Sequence, residues 1–116
     1  MRAQKLAVAL AITAALLGTL HIALTPLAYA AWTVEALWFL GAGLAIVMAA
    51  VANIVGRPFA DRPRRIMVAT INLTMAIFFA SAWLVLPAPQ VLVGGVLFLS
   101  LAVCAVAPQG SKAATS

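Results

Sequence analysis

Charge is confined to a few short places in this chain, and that confinement limits the possible folds more than any other feature. No Asp, Glu, Lys or Arg occurs from Leu6 to Val34, from Ala36 to Gly56, or from Ile66 to Ser111. A helix needs about 20 mainly apolar residues to cross a hydrocarbon layer roughly 30 Å thick, and each of these runs is long enough. Soluble domains are about a quarter charged, whereas this chain is 66% hydrophobic and 8% charged. A globule of 116 residues keeps much of its surface in contact with solvent, so the apolar excess has nowhere to hide in water. The composition excludes a soluble enzyme, a disordered tail and a disulfide-stapled secreted module. It predicts an integral membrane protein.

Proline and glycine divide the uncharged runs into four spans. The first run breaks at Thr25-Pro26, where proline lacks the N–H that would continue the helix. The second stops at Gly56-Arg57-Pro58, a helix-ending signal. The third is too long for one crossing, and Leu86-Pro87-Ala88-Pro89-Gln90 splits it in two. The expected spans are about 6–26, 33–55, 66–86 and 90–107, with a basic loop over 57–65, in one domain covering 1–116. Arg2, Lys5 and Ala28-Tyr29-Ala30 also fit a signal peptide with an A-x-A site. The apolar stretch exceeds a usual h-region of about 7–15 residues, so the expectation is a first span that is kept.

The seven cations are Arg2, Lys5, Arg57, Arg62, Arg64, Arg65 and Lys112. In a four-span chain they fall at both termini and in the middle loop, and the other two loops have none. Lys and Arg collect on the cytoplasmic side, so both termini and the middle loop are expected inside a bacterial-type inner membrane. A net charge of +5 would suggest nucleic acid in a soluble protein. Here it serves as the topological signal, and no nucleic-acid partner is expected. Arg57, Arg62, Arg64 and Arg65 are also candidates for contact with anionic lipid headgroups, at roughly 1 kcal/mol per cation near the surface. Trp32, Trp38 and Trp83 fall near the outer boundary, the ordinary place for an aromatic belt.

Small residues at helical spacing predict the packing faces, because they let helix backbones approach closely. Ala7, Ala11, Ala14, Gly18 and His21 share one stripe of the first span. On the second span the predicted stripe is Glu35, Trp38, Ala42, Ala45, Ala49 and Asn53. The third offers Asn72, Ala76, Phe79 and Trp83, the fourth Gln90, Gly94, Leu97, Leu101 and Cys104. With short connections this predicts an all-α, antiparallel, up-down four-helix bundle.

Polar groups inside a membrane are costly and often functional. Asn53 and Asn72 lie near the same end of adjacent spans and are expected to form an interhelical polar contact, worth about 0.6–2 kcal/mol. His21 and Glu35 lie near the opposite end and could pair as imidazole and carboxylate. With Trp38, Trp83 and Gln90 they form a candidate ligand or proton site. The plainer alternative is a first-turn Glu35 favoured by the helix dipole and an interfacial His21. Cys104 is the lone cysteine, so no disulfide forms within the chain; an inert buried thiol is expected, with palmitoylation the alternative.

No metal-binding cluster, phosphate-binding loop or activated nucleophile occurs, so neither catalysis nor a cofactor or metal is expected. In length and span number the chain resembles the small multidrug resistance transporters, which use a Glu within their first span as a shared proton and drug site. Helix one has no acid here, so that function is not carried over. The expectation is a non-enzymatic helix-bundle subunit or self-associating scaffold, in contact with the lipid bilayer and with copies of itself or a larger complex. The alternative is a small transporter or lipid/small-molecule binding protein built on His21 and Glu35.

Overall fold

Four helices carry the computed structural model, which describes residues 2–56 and 61–107. They are α1 (Arg2–Ala28), α2 (Val34–Gly56), α3 (Arg62–Val85) and α4 (Pro89–Val106). No strand occurs among the described residues. Each helix is long and apolar enough to cross a membrane, which fits a multi-pass membrane protein. The many exposed large apolar side chains fit as well. Leu16, Leu27, Met48, Leu84 and Val103, for example, are at least 60% exposed, and soluble monomers seldom expose apolar surface on this scale. Arg57 and Lys112 lie outside the described residues.

Three boundaries differ from the sequence expectation by two residues or more, the first being that α1 begins at Arg2 instead of Leu6. Helix α1 does not break at Thr25-Pro26 but runs through Pro26 to Ala28. A proline in the last turn removes one backbone donor only, and membrane helices tolerate it where local groups readjust. The Tyr29 N–H donates to the Thr25 carbonyl at 3.1 Å, and the Thr25 hydroxyl donates to the His21 carbonyl at 3.2 Å. At the other end of the bundle, α3 begins at Arg62 instead of Ile66, so residues 62–65 of the expected 57–65 loop are helical. Asp61 is the N-cap residue, in extended backbone, and Pro63 sits in the first turn, where its fixed φ suits a helix start. Pro89 opens α4 in the same way.

Each helix packs on its chain neighbours, and α4 returns to α1, the cyclic order of a four-helix bundle. Packing is closest within the two hairpins, α1–α2 and α3–α4, and looser between them. On α1 the buried stripe is Ala7, Ala11, Ala14, Gly18 and Thr25, which includes the four small residues expected. On α2 it is Ala36, Gly43, Ile46, Ala49, Ala50 and Asn53. The predicted stripe was rotated by about one residue there, since Ala45 is exposed and Trp38 is 73% exposed. Helix α3 buries Val68, Asn72, Met75 and Phe79, and α4 buries Val91, Gly94, Leu97, Phe98, Leu101 and Ala105. Gln90 is exposed and Cys104 half-buried.

Tight spots explain the hairpins. A Cβ on Gly18 would stand 2.9 Å from the Gly43 carbonyl oxygen, so the α1 and α2 backbones nearly touch. Gly94 faces the Phe79 ring with no room for a Cβ, and that ring stacks on Phe98 with centroids 5.9 Å apart. The core shared by the hairpins comprises Ala7, Ala11 and Ala14 on α1, Ile46, Ala49 and Ala50 on α2, Met75 and Phe79 on α3, and Val91, Phe98 and Leu101 on α4. Counted along antiparallel helices, most of these lie toward the end that holds the N-terminus and the arginines, while Met75, Phe79 and Val91 lie in the opposite half.

Candidate functional site

Toward the end away from the arginines the two hairpins leave a cavity of about 510 Å³ between them. This falls within the range of roughly 300–1,000 Å³ usual for small-molecule sites. All four helices contribute to its walls. Helix α1 supplies Leu17 and His21, α2 a stripe running from Glu35 through Trp38, Phe39 and Ala42 to Ile46, and α4 Gln90 and Val91. The α2 stripe has the 3–4 residue spacing of one helix face, so a single face of α2 forms one wall. On α3 the wall is Phe78, Phe79, Ala82 and Val85, with Leu86 just beyond its end.

Local geometry fixes the polar members. The Thr33 hydroxyl accepts the Ala36 N–H at 3.2 Å and so caps α2, which places Glu35 in the first turn near the positive end of the helix dipole. His21 is half-buried and stacks on Phe39, with centroids 3.7 Å apart and planes 19° from parallel. Tyr29 meets the same ring at 5.5 Å, tilted by 60°. Phe39, four residues after Glu35, thus covers the imidazole. Among the described residues no ion pair joins His21 to Glu35, and the carboxylate is exposed.

The structure therefore brings His21, Glu35, Trp38 and Gln90 to one cavity. Trp83 is not part of it. It lies instead on an apolar groove on another face of the α3–α4 hairpin, with Leu73, Ala80 and Leu92. The cavity-facing stripe of α3 continues from Phe79 to Ala82 and Leu86, which turns Trp83 away. Neither Phe39 nor Tyr29 was among the site residues expected from the sequence. The position of Phe39 four residues after Glu35 was the available signal, because side chains at that spacing share a helix face.

The expected headgroup-binding arginines divide. Arg57 lies outside the described residues. Arg62 is exposed, and Arg64 pairs with Asp61 at 3.5 Å. Arg65 turns inward to α4: its Nε donates to the Ala105 carbonyl at 3.3 Å, and an Nη donates to Val106 and Ala107 at 3.2 and 3.3 Å. It caps the C-terminal carbonyls of α4, where a cation is favoured. Asn53 and Asn72 exchange two side-chain hydrogen bonds, of 2.6 and 2.9 Å, between α2 and α3. Among the described residues no group of three His, Cys, Asp or Glu side chains could hold a metal. Compared with known protein families, with curated proteins and with solved structures, the chain matches none.

Proposed function

We propose that this chain is a small membrane-embedded binding protein whose ligand, an apolar or amphiphilic small molecule, enters the cavity between the two hairpins. The cavity itself carries the reading, because it joins the polar residues of that end to apolar walls from all four helices. The small-residue stripe of α1 is buried within the chain against α2 and the core, so it is not left open to a second copy. That favours a binding role over a scaffold.

The test uses Trp38 as a reporter. In a Trp32→Phe/Trp83→Phe background it is the one remaining tryptophan, and it lines the cavity. In phosphatidylcholine nanodiscs, decanol should change its fluorescence saturably. Ala42→Phe, which fills the cavity from α2, should weaken that binding by about tenfold or more, the equivalent of roughly 1.4 kcal/mol. Equal binding by the filled variant would remove the cavity from the account.

Orientation follows from the same reading. The arginine-bearing end faces the cytoplasm and the cavity end faces outward. Alkaline phosphatase fused after Ala31 should be active and after Ser116 inactive, with the reverse pattern for green fluorescent protein. Phosphatase activity at the C-terminal fusion would invert the topology.

A further inference from the structure

We infer that the cavity selects amphiphiles carrying a single positive ammonium head over anionic or uncharged ones of the same size, an assignment that rests on the binding role proposed above. The charge pattern is one-sided. Glu35 is the chain's only acid apart from Asp61, and Asp61 lies at the opposite end beside Arg62, Arg64 and Arg65. No Lys or Arg occurs between Lys5 and Arg57 or between Arg65 and Lys112, so no ammonium or guanidinium at the cavity end can pair with a bound anion. An anion moved there from water would lose hydration without gaining such a partner, and would lie near the Glu35 carboxylate.

The residues around the carboxylate suit a cation. Trp38 and Phe39 follow Glu35 by three and four residues on the cavity-lining face of α2, and Tyr29 packs against Phe39. Aromatic faces attract ammonium groups through the negative face of the ring, and the attraction strengthens where water is partly excluded. Deeper in, the walls are Leu17, Ile46, Phe79 and Val91, which suit an alkyl or aryl body. A ligand with its head between Glu35 and Trp38 and its tail toward Ile46 meets complementary chemistry along its length.

The same Trp38 reporter in zwitterionic nanodiscs tests the assignment with decyltrimethylammonium, its uncharged carbon isostere and decyl sulfate. The ammonium should bind tightest and the sulfate weakest. Glu35→Gln should weaken ammonium binding about threefold to fivefold, the range of an exposed charge pair, and leave the isostere unchanged. Glu35→Asp should keep the preference. If ammonium and isostere bind equally while Ala42→Phe weakens both, the ammonium assignment falls and the cavity stands. Tightest binding of the sulfate also overturns it. If Ala42→Phe affects none of the three, both readings fall together.

Discussion

Gly43→Leu is expected to lower the stability of the bundle by about 3 kcal/mol, the upper part of the range for forcing a larger side chain into a packed interface. The reason lies in the α1–α2 contact. A single Cβ at Gly43 would stand 2.8 Å from Ile22 Cγ1, 3.1 Å from the Gly18 carbonyl oxygen and 3.2 Å from the Ile22 backbone nitrogen. A side-chain terminus can swing aside, but two backbone atoms cannot move unless the helices separate. Separation would open the contact along Ala11, Ala14 and Gly18, which has no long side chain to refill the gap. Gly41→Ala is the matched control, since nothing lies within 4 Å of a Cβ there. It should leave stability unchanged or raise it slightly, because alanine favours helix over glycine by up to about 1 kcal/mol. The midpoint of unfolding in SDS, followed by circular dichroism, measures both. Equal midpoints for Gly43→Leu and Gly41→Ala would mean that the two backbones do not meet as described.

That same pair of glycines shows why part of the fold was legible in the sequence and part was not. On α1 Ala7, Ala11, Ala14 and Gly18 keep the spacing of one face and include the helix's one glycine, although Ala9, Thr13, Ala15 and Thr19 are small as well. On α2 the segment Gly41-Ala42-Gly43-Leu44-Ala45 offers small residues on most sides of the helix. Side-chain size alone then could not choose between a face through Ala42 and one through Gly43. Only the partner helix decides, and it takes Gly43. The stripe through Glu35, Trp38 and Ala42 turns instead to the cavity. Arg65 was hidden for a related reason. Its place in a basic cluster suggests lipid or topology, while its bonds to the α4 carbonyls depend on where a helix forty residues later ends. The stacking of His21 on Phe39, in place of an ion pair with Glu35, likewise depends on helix rotation, which a periodic pattern leaves free by tens of degrees.

Asn53→Leu should destabilise the bundle by about 2–3 kcal/mol and Asn72→Leu by less, and the asymmetry can be read from the hydrogen bonds. Both amides are fully buried. The Asn53 Nδ2 donates to Asn72 Oδ1 at 2.6 Å and also to its own helix at the Ala49 carbonyl, at 2.8 Å. Asn72 Nδ2 donates to Asn53 Oδ1 at 2.9 Å. Removing Asn72 therefore leaves Asn53 with the Ala49 bond. Removing Asn53 takes away both of the bonds between the two amides and leaves the Asn72 amide buried without them. A buried polar group deprived of its partner costs about 1–3 kcal/mol. The double variant Asn53→Leu/Asn72→Leu leaves neither amide stranded, so its loss should be smaller than the sum of the two single losses, by about 0.6–2 kcal/mol. Additive losses in SDS unfolding would mean that the two side chains do not interact. The double variant also separates stability from alignment. Leucine pairs supply contact but no directional bond, and these two amides form a polar link that holds α2 against α3 where the hairpins meet. With that link gone, the hairpins can shift against each other, and the cavity at the far end is built from both. Decanol binding reported by Trp38 should therefore weaken in the double variant even where its unfolding midpoint approaches that of the parent. Unchanged binding would place the alignment of the hairpins in their apolar core instead.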